Sequence, residues 1–116
     1  MAVPFMLFHW SLSTRRKSIN KYGLVPGKKS RCGCWNPPYV CFSKSPSQAW
    51  AMSARVSRQY GEWDLWMIWS NCLEGYERLS VGTSGKSNEY RVYNRIMKSN
   101  VWYVGSRMYI PRKGME

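Results

Sequence analysis

The sequence contains few of the residues on which hydrolytic chemistry depends. Among its 116 residues there is one histidine, His9, and there are only 6 aspartates and glutamates. A serine or cysteine hydrolase needs a nucleophile, a base and a group that orients the base, and no nucleophile elbow accompanies the single histidine. A mechanism based on paired carboxylates is disfavoured by the same shortage of acids. The composition therefore argues against both classes of enzyme.

Long apolar runs are also missing. No run approaches the roughly 20 residues needed to span a bilayer. The first residues, Met-Ala-Val-Pro-Phe, lack the basic region and the apolar core of a secretory signal peptide. We therefore expect a cytoplasmic protein without membrane contact.

The cysteines do not have the spacing of a metal site. Cys32 and Cys34 are separated by one residue, whereas paired zinc ligands are usually separated by two or more. Cys41 and Cys72, which are farther along the chain, would have to supply the remaining two zinc ligands. In a reducing compartment disulfides are not expected either. We expect ordinary thiols, no zinc and no other metal.

One glycine-rich segment, Gly-Thr-Ser-Gly-Lys-Ser at residues 82–87, has a superficial likeness to a phosphate-binding loop. It lacks the four-residue gap between the glycines, and the residues that follow predict a strand. A phosphate loop needs a helix N-terminus at that point. We expect a flexible loop that contacts substrate instead.

Positive charge is what the chain has in excess. It has 18 lysines and arginines, which gives a net charge of +12. A balance of this kind favours a polyanionic partner, because each phosphate contact releases counterions; a solvated basic surface is the alternative. We expect nucleic acid as a partner, and the candidate contacts are Lys28, Lys29, Arg31, Lys86 and Arg91.

The order of the elements predicts the fold class. Apolar runs predict strands at residues 5–10, 39–43, 64–69, 78–81 and 89–93, and a final hairpin that turns near Gly105. One helix follows Ser13 or Thr14, has Ile19 and Tyr22 inward and ends at Gly23. A second begins at Ser45-Pro46, and Gly61 ends either this helix or the turn after it. We predict one α+β domain over residues 1–116, with two early helices on a split, mostly antiparallel sheet.

Two polar residues have conspicuous positions. His9 lies at the end of the first strand, where side chains are held firmly beside loops. Glu89 begins a late aromatic strand directly after the Gly/Ser loop. Each has a simpler interpretation, since His9 fits a partly buried structural histidine and Glu89 fits a surface partner of one of the many arginines.

Taken together, several short motifs resemble the ADP-ribosyltransferase fold family. They extend over residues 5–110, and their order and spacing carry the resemblance more than any one of them. The segments are Phe8-His9-Trp10-Ser11, Gly23-Leu24-Val25-Pro26, Val40-Cys41-Phe42-Ser43, Ser45-Pro46 through Ala51, and Glu89-Tyr90-Arg91-Val92.

The resemblance implies a split β-sheet with a cleft for NAD between its halves. It assigns His9 to a ribose and Glu89 to the nicotinamide ribose, where the carboxylate stabilises an oxocarbenium-like transition state. It also implies an aromatic ring on the nicotinamide and basic residues on the pyrophosphate. The residues that we expect to bind NAD are His9, Trp10, Ser11, Arg15, Tyr39, Phe42 and Ser43, with Phe42 favoured over Tyr39 and Trp50 for stacking and with Arg16 and Lys17 beside Arg15.

The predicted function is therefore transfer of ADP-ribose from NAD to nucleic acid, with Glu89 as the catalytic residue. Ser87 stands two positions before Glu89, where a second acid or a glutamine would favour modification of arginines in proteins. Two other functions stay open. One is a basic module that binds nucleic acid or a nucleotide without chemistry, and the other is a small viral factor that binds a host protein.

Overall fold

A computed structural model describes residues 3–27, 39–54, 58–73, 79–81 and 89–110. They form an α+β domain in which one sheet carries a short helix on each face. The helices and strands, in chain order, are β1 (Met6–Leu12), α1 (Arg16–Tyr22), β2 (Val40–Ser43), α2 (Pro46–Met52), β3 (Gly61–Trp69), β4 (Leu79–Val81), β5 (Glu89–Val92) and β6 (Trp102–Tyr109).

The six strands form one sheet in the order β4-β5-β2-β1-β3-β6, and every neighbouring pair is antiparallel. This confirms the expected α+β class and the antiparallel pairing, but the described strands form one sheet and not the two expected halves. β1 pairs with β3 along its whole length, but it pairs with β2 at one position, Phe8 with Ser43. The ladder between β1 and β2 is thus the shortest in the sheet.

Alternation along β1 divides the core into two. Leu7, His9 and Ser11 point to the side of α1, which we call the α1 face. Phe8 and Trp10 point to the side of α2, which we call the α2 face. The α1 face packs an aliphatic cluster, and the α2 face packs a cluster rich in tryptophan.

One end of each helix is determined by residues next to it in the sequence. Gly23 ends α1 at φ +80°, and a Cβ there would lie 2.0 Å from the carbonyl oxygen of Ile96. Ser45 caps α2 and accepts from the backbone N–H of Gln48, with Pro46 in the first turn. Ile19 is buried as expected, whereas Tyr22, the last residue of α1, is exposed, so its predicted inward position is wrong.

The C-terminal hairpin that the sequence predicts is wrong. Residues 102–109 form one continuous strand, and Gly105 pairs with Leu65 inside the ladder. β3 begins at Gly61, three residues before the expected start, so it is long enough to pair with the whole of β6. The irregularity at Gly105 is a register shift opposite Leu65 and Trp66, not a turn.

Within the described ranges, none of the helices has the length and apolar character that crossing a bilayer requires. The same part of the chain contains no group of three or more His, Cys, Asp or Glu residues that could hold a metal ion.

Candidate functional site

A cavity of about 490 Å³ lies beside the short junction between β1 and β2. Its volume is within the range of about 300–1,000 Å³ that small-molecule sites occupy. The wall combines residues of the α1 face, such as His9 and Ser11, with Cys41 and the end of α2. The lining comes from β1, α1 and the residues after it, the start of β2 and the end of α2, and it includes His9, Ser11, Arg15, Tyr39, Cys41 and Met52.

A hydrogen bond from its ring to the backbone of β2 holds His9 in the wall of this cavity. Nδ1 lies 2.8 Å from the carbonyl oxygen of Cys41. A carbonyl oxygen only accepts, so Nδ1 carries the proton and Nε2 keeps a lone pair. Burial lowers the pKa of His9 to about 4, with a smaller contribution from the nearby charge of Arg15. At neutral pH the ring is therefore an uncharged hydrogen-bond acceptor, suited to a ligand hydroxyl.

Ser11 and Arg15 complete this side of the cavity. Ser11 is buried, and it follows His9 by two positions on the same face of β1. Arg15 lies at the start of α1 and also lines the cavity. The arrangement places one acceptor nitrogen, one hydroxyl and one guanidinium around the same space.

Arg16, next in the chain, has a different role. Its guanidinium binds both carboxylate oxygens of Asp64, at 2.9 and 2.7 Å, and also reaches Glu62. Asp64 is fully buried; burial alone would raise its pKa, but the hydrogen bonds from Arg16 and Ser106 outweigh this and lower it. This pair anchors α1 to β3 and fixes the direction from which Arg15 approaches the cavity.

Glu89 lies on the α2 face, opposite to the face of His9. It is half-buried and does not line the cavity. Arg91 Nε donates to its carboxylate at 2.8 Å, and the thiol of Cys41 donates to the same oxygen at 2.9 Å. Burial opposes ionisation of Glu89, but the bonds from Arg91 and Cys41 hold its pKa below the usual range.

Cys41 therefore connects the two candidate residues. Its carbonyl oxygen accepts from His9, and its thiol donates to Glu89. Burial and the neighbouring carboxylate of Glu89 raise the pKa of the thiol, so it stays protonated and able to donate. Sequence reasoning gave Cys41 no role at the site. The pairing of β2 with β5 is the missing information, because it brings Cys41 opposite Arg91.

Tyr39 is the aromatic residue that reaches the cavity. Its ring lies under the guanidinium of Arg91, 4.6 Å from ring centroid to Cζ, and burial raises its pKa. The favoured residue, Phe42, is fully buried in the aliphatic cluster and packs against the ring of His9. Trp50 is buried among the tryptophans of the α2 face.

The structure does not bring every predicted residue to the cavity. Trp10 points to the α2 face, where its indole N–H donates to the carbonyl oxygen of Pro46 at 2.8 Å. Ser43 is buried, and its hydroxyl donates to Gln48 at 3.0 Å. Both side chains serve to hold α2 on the sheet. The predicted nucleic-acid contacts Lys28, Lys29, Arg31 and Lys86 lie outside the described residues.

The sequence matches no known family model and no curated protein sequence. The assignment of function therefore depends on the residues of this chain.

Proposed function

We propose that the protein is an enzyme of the ADP-ribosyltransferase type, which binds NAD in the cavity between β1 and β2 and transfers ADP-ribose to nucleic acid. The observation that carries the proposal is the position of His9. A neutral imidazole with a free acceptor nitrogen faces a cavity of nucleotide-compatible size, and Cys41 links it to an ionised glutamate.

The ribose is the part of NAD that His9 and Ser11 suit best. A ribose offers neighbouring hydroxyls that both donate and accept. His9 Nε2 accepts one hydroxyl proton, and the Ser11 hydroxyl can serve the other. Two residues spaced by two on one strand keep this geometry rigid, because both side chains are held by the ladder with β3.

The pyrophosphate is assigned to Arg15. The segment Arg15-Arg16-Lys17 offered three basic residues, but Arg16 is bound to Asp64 and Glu62. Arg15 is the one of the three that lines the cavity. Tyr39, which also lines the cavity, takes the place that the sequence gave to Phe42 and offers its ring to the nicotinamide.

We assign the electrostatic part of the reaction to Glu89, which lies on the other face of the sheet from His9 and is connected to the cavity through Cys41. The bond between C1′ of the ribose and the nicotinamide nitrogen breaks, and nicotinamide leaves with the electron pair. Positive charge develops on the ribose, and an ionised carboxylate nearby lowers this barrier. A nucleophilic oxygen or nitrogen of the acceptor then bonds to C1′ and loses a proton. The lowered pKa of Glu89 keeps it ionised at neutral pH.

Nucleic acid is proposed as the acceptor because of charge. The net charge is +12, and the three described acids that form ion pairs are each bound by an arginine, Glu62 and Asp64 by Arg16 and Glu89 by Arg91. A polyanion is thus attracted to the protein at long range.

Release of nicotinamide from NAD tests the catalytic part of the proposal. The protein is incubated with labelled NAD and either single-stranded DNA or RNA, and nicotinamide and labelled nucleic acid are measured. We expect Glu89→Gln to reduce both products by about 100-fold or more, as loss of an electrostatic stabiliser does. Glu62→Gln is the matched control, because Glu62 is exposed and far in the sheet from Glu89.

Binding of NAD is measured separately by calorimetry with His9→Ala and Ser11→Ala. We expect weaker binding in both, and near-normal binding in Glu89→Gln. NAD turnover equal to that of Glu89→Gln would disprove the catalytic claim. Salt-dependent binding of nucleic acid without affinity for NAD would instead support the basic binding module.

A further inference from the structure

Within the part of the chain that the structure describes, α2 covers one end of the α2 face of the sheet. α2 packs over the part of the sheet that contains Phe8 and Trp10. At the other end, four large apolar side chains meet on neighbouring strands, because Met6 pairs with Trp69 and Met67 pairs with Trp102. We call this group, Met6, Met67, Trp69 and Trp102, the tryptophan patch.

Both indoles of the tryptophan patch are accessible. Trp69 is 41% exposed and Trp102 is 56% exposed. Among the described residues, neither ring stacks on another aromatic ring or under a cation. Trp50, by contrast, is enclosed by other aromatic rings and by Arg107. The patch thus presents two unused aromatic rings on adjacent strands.

The charged side chain that β6 contributes to the α2 face is positive. The acids of β3, Glu62 and Asp64, alternate onto the α1 face and are held there by Arg16. On β6 the charged residue of the α2 face is Arg107, which lies over Trp50 at the end covered by α2, about 17 Å along the strand from Trp102. A second copy of this chain would bring another net charge of +12 against the same surface.

We propose that the tryptophan patch binds single-stranded nucleic acid, with bases stacked on Trp69 and Trp102 and with the phosphate backbone continuing along β6 toward Arg107. Exposed aromatic rings beside basic side chains are how single strands are bound without sequence preference, because every base has a π-face. A duplex keeps its base faces stacked inside, so it cannot use the two rings. The class of partner is therefore single-stranded DNA or RNA.

This inference rests on the proposed function in one respect: it specifies that the nucleic acid that accepts ADP-ribose is bound as a single strand. Glu89 lies on the same α2 face as the tryptophan patch. β5 and β3 are three strand spacings apart in the sheet, which is about 14 Å at ~4.8 Å per spacing. A strand bound at the patch thus runs on the side of the sheet where Glu89 is placed.

Fluorescence anisotropy of a labelled single-stranded 12-mer, without NAD, tests the binding surface. We expect Trp69→Leu and Trp102→Leu each to weaken binding about fivefold or more, which corresponds to the loss of one stacked base. Trp102→Phe should retain most of the affinity, because a phenyl ring still stacks while leucine offers only apolar area. Binding should weaken as salt is raised.

Two controls separate the patch from the rest of the surface. Tyr22→Ala removes an exposed aromatic ring from α1, and Met108→Ala removes an exposed apolar side chain from the other face of β6. Neither should change the affinity. Circular dichroism and thermal melting confirm that all variants are folded.

Three results would overturn the proposal. Equal affinity for the duplex and the single strand is one. Unchanged binding in the Trp69→Leu/Trp102→Leu double variant is another. A monomer–dimer equilibrium that the double variant shifts, together with unchanged nucleic-acid binding, would assign the patch to a second copy. Binding that depends on the patch, without NAD turnover, would support the binding surface and refute the proposed enzymatic activity. NAD turnover without binding at the patch would support the enzymatic activity and refute the binding surface.

Discussion

The imidazole of His9 donates through Nδ1 to the carbonyl oxygen of Cys41, 2.8 Å away. This bond crosses the junction where β1 and β2 share one register pair, Phe8 with Ser43. A side chain thus joins two strands beside the point where the backbone ladder ends. The same bond sets the tautomer of His9, so the strand junction and the hydrogen-bonding character of the cavity are determined together.

Stability should depend on pH through His9. Burial lowers its pKa from 6.5 to about 4, so below pH 6.5 the unfolded chain takes up a proton that the folded protein does not. The contribution of neutral His9 is complete above pH 6.5 and is lost progressively as the pH falls toward 4. Urea unfolding at pH 7.5, 6.5, 5.5 and 4.5 should show a falling free energy of unfolding.

The variant His9→Gln provides the control for that experiment. Glutamine can still donate to Cys41 but does not titrate. Asp64 and Glu89, whose folded pKa values are lowered, begin to contribute their own loss as the pH falls through the normal range of carboxylates, and they do so equally in His9→Gln. If the free energy of unfolding falls as steeply between pH 6.5 and 4.5 in His9→Gln as in the natural protein, another group is responsible for the pH dependence.

Gly23 is predicted to be essential for folding. Its φ of +80° disfavours any residue with a Cβ, and the added atom would lie 2.0 Å from the carbonyl oxygen of Ile96. Leu24 and Ile96 exchange backbone hydrogen bonds there, so neither segment can move away freely. We expect Gly23→Ala to reduce the free energy of unfolding by more than ~2 kcal/mol.

Gly105→Ala is the matched substitution. A Cβ at Gly105 meets nothing within 4 Å. Its effect should stay within about 0.5 kcal/mol, as for an ordinary surface change. Comparable losses in the two variants, measured by urea unfolding, would contradict the argument from steric contact.

The anchor between Arg16 and Asp64 makes a third prediction. Asp64→Asn leaves a buried amide opposite a guanidinium that has lost its charge partner, and we expect a loss of about 1–3 kcal/mol. Glu62→Gln affects an exposed carboxylate bound by the same arginine, and its loss should stay below about 1 kcal/mol. Chemical unfolding of both variants decides the matter; equal losses would mean that burial of Asp64 is unimportant.

The local features of the fold could be predicted because they depend on neighbouring residues. The Ser45 cap, the Gly23 terminus and the apolar runs of β1 and β3 are all visible in a window of a few residues. The false turn at Gly105 has the opposite origin. A glycine in an apolar run indicates either a turn or an irregular strand, and the length of β3 decides between them.

The candidate site could be predicted only in part, for a related reason. His9 and Ser11 were found because alternation on one strand is a local property. The roles of Cys41 and Tyr39 depend on which strands are neighbours, and that information is carried by pairing over 30 residues or more along the chain. The burial of Phe42 follows from the same pairing, which turns even-numbered residues of β2 toward the α1 face.

The contact between Cys41 and Glu89 makes a chemical prediction. Burial and the carboxylate of Glu89 together raise the pKa of the Cys41 thiol, and Arg91 opposes them. Glu89→Gln removes the negative charge and leaves Arg91 without its partner. The pKa of Cys41 should therefore fall, and its alkylation by iodoacetamide at pH 8 should become several-fold faster, because the thiolate is the reacting form.

Peptide mapping by mass spectrometry measures that rate at Cys41 itself, with Cys72 as an internal reference in the same molecule. Cys72 is also partly buried, and among the described residues it has no contact with Glu89. Its alkylation should be unchanged by the substitution, and Glu62→Gln should alter neither cysteine. Faster alkylation of both cysteines in Glu89→Gln would indicate general loosening of the fold. Unchanged alkylation of Cys41 would mean that the carboxylate does not control the thiol that links it to His9.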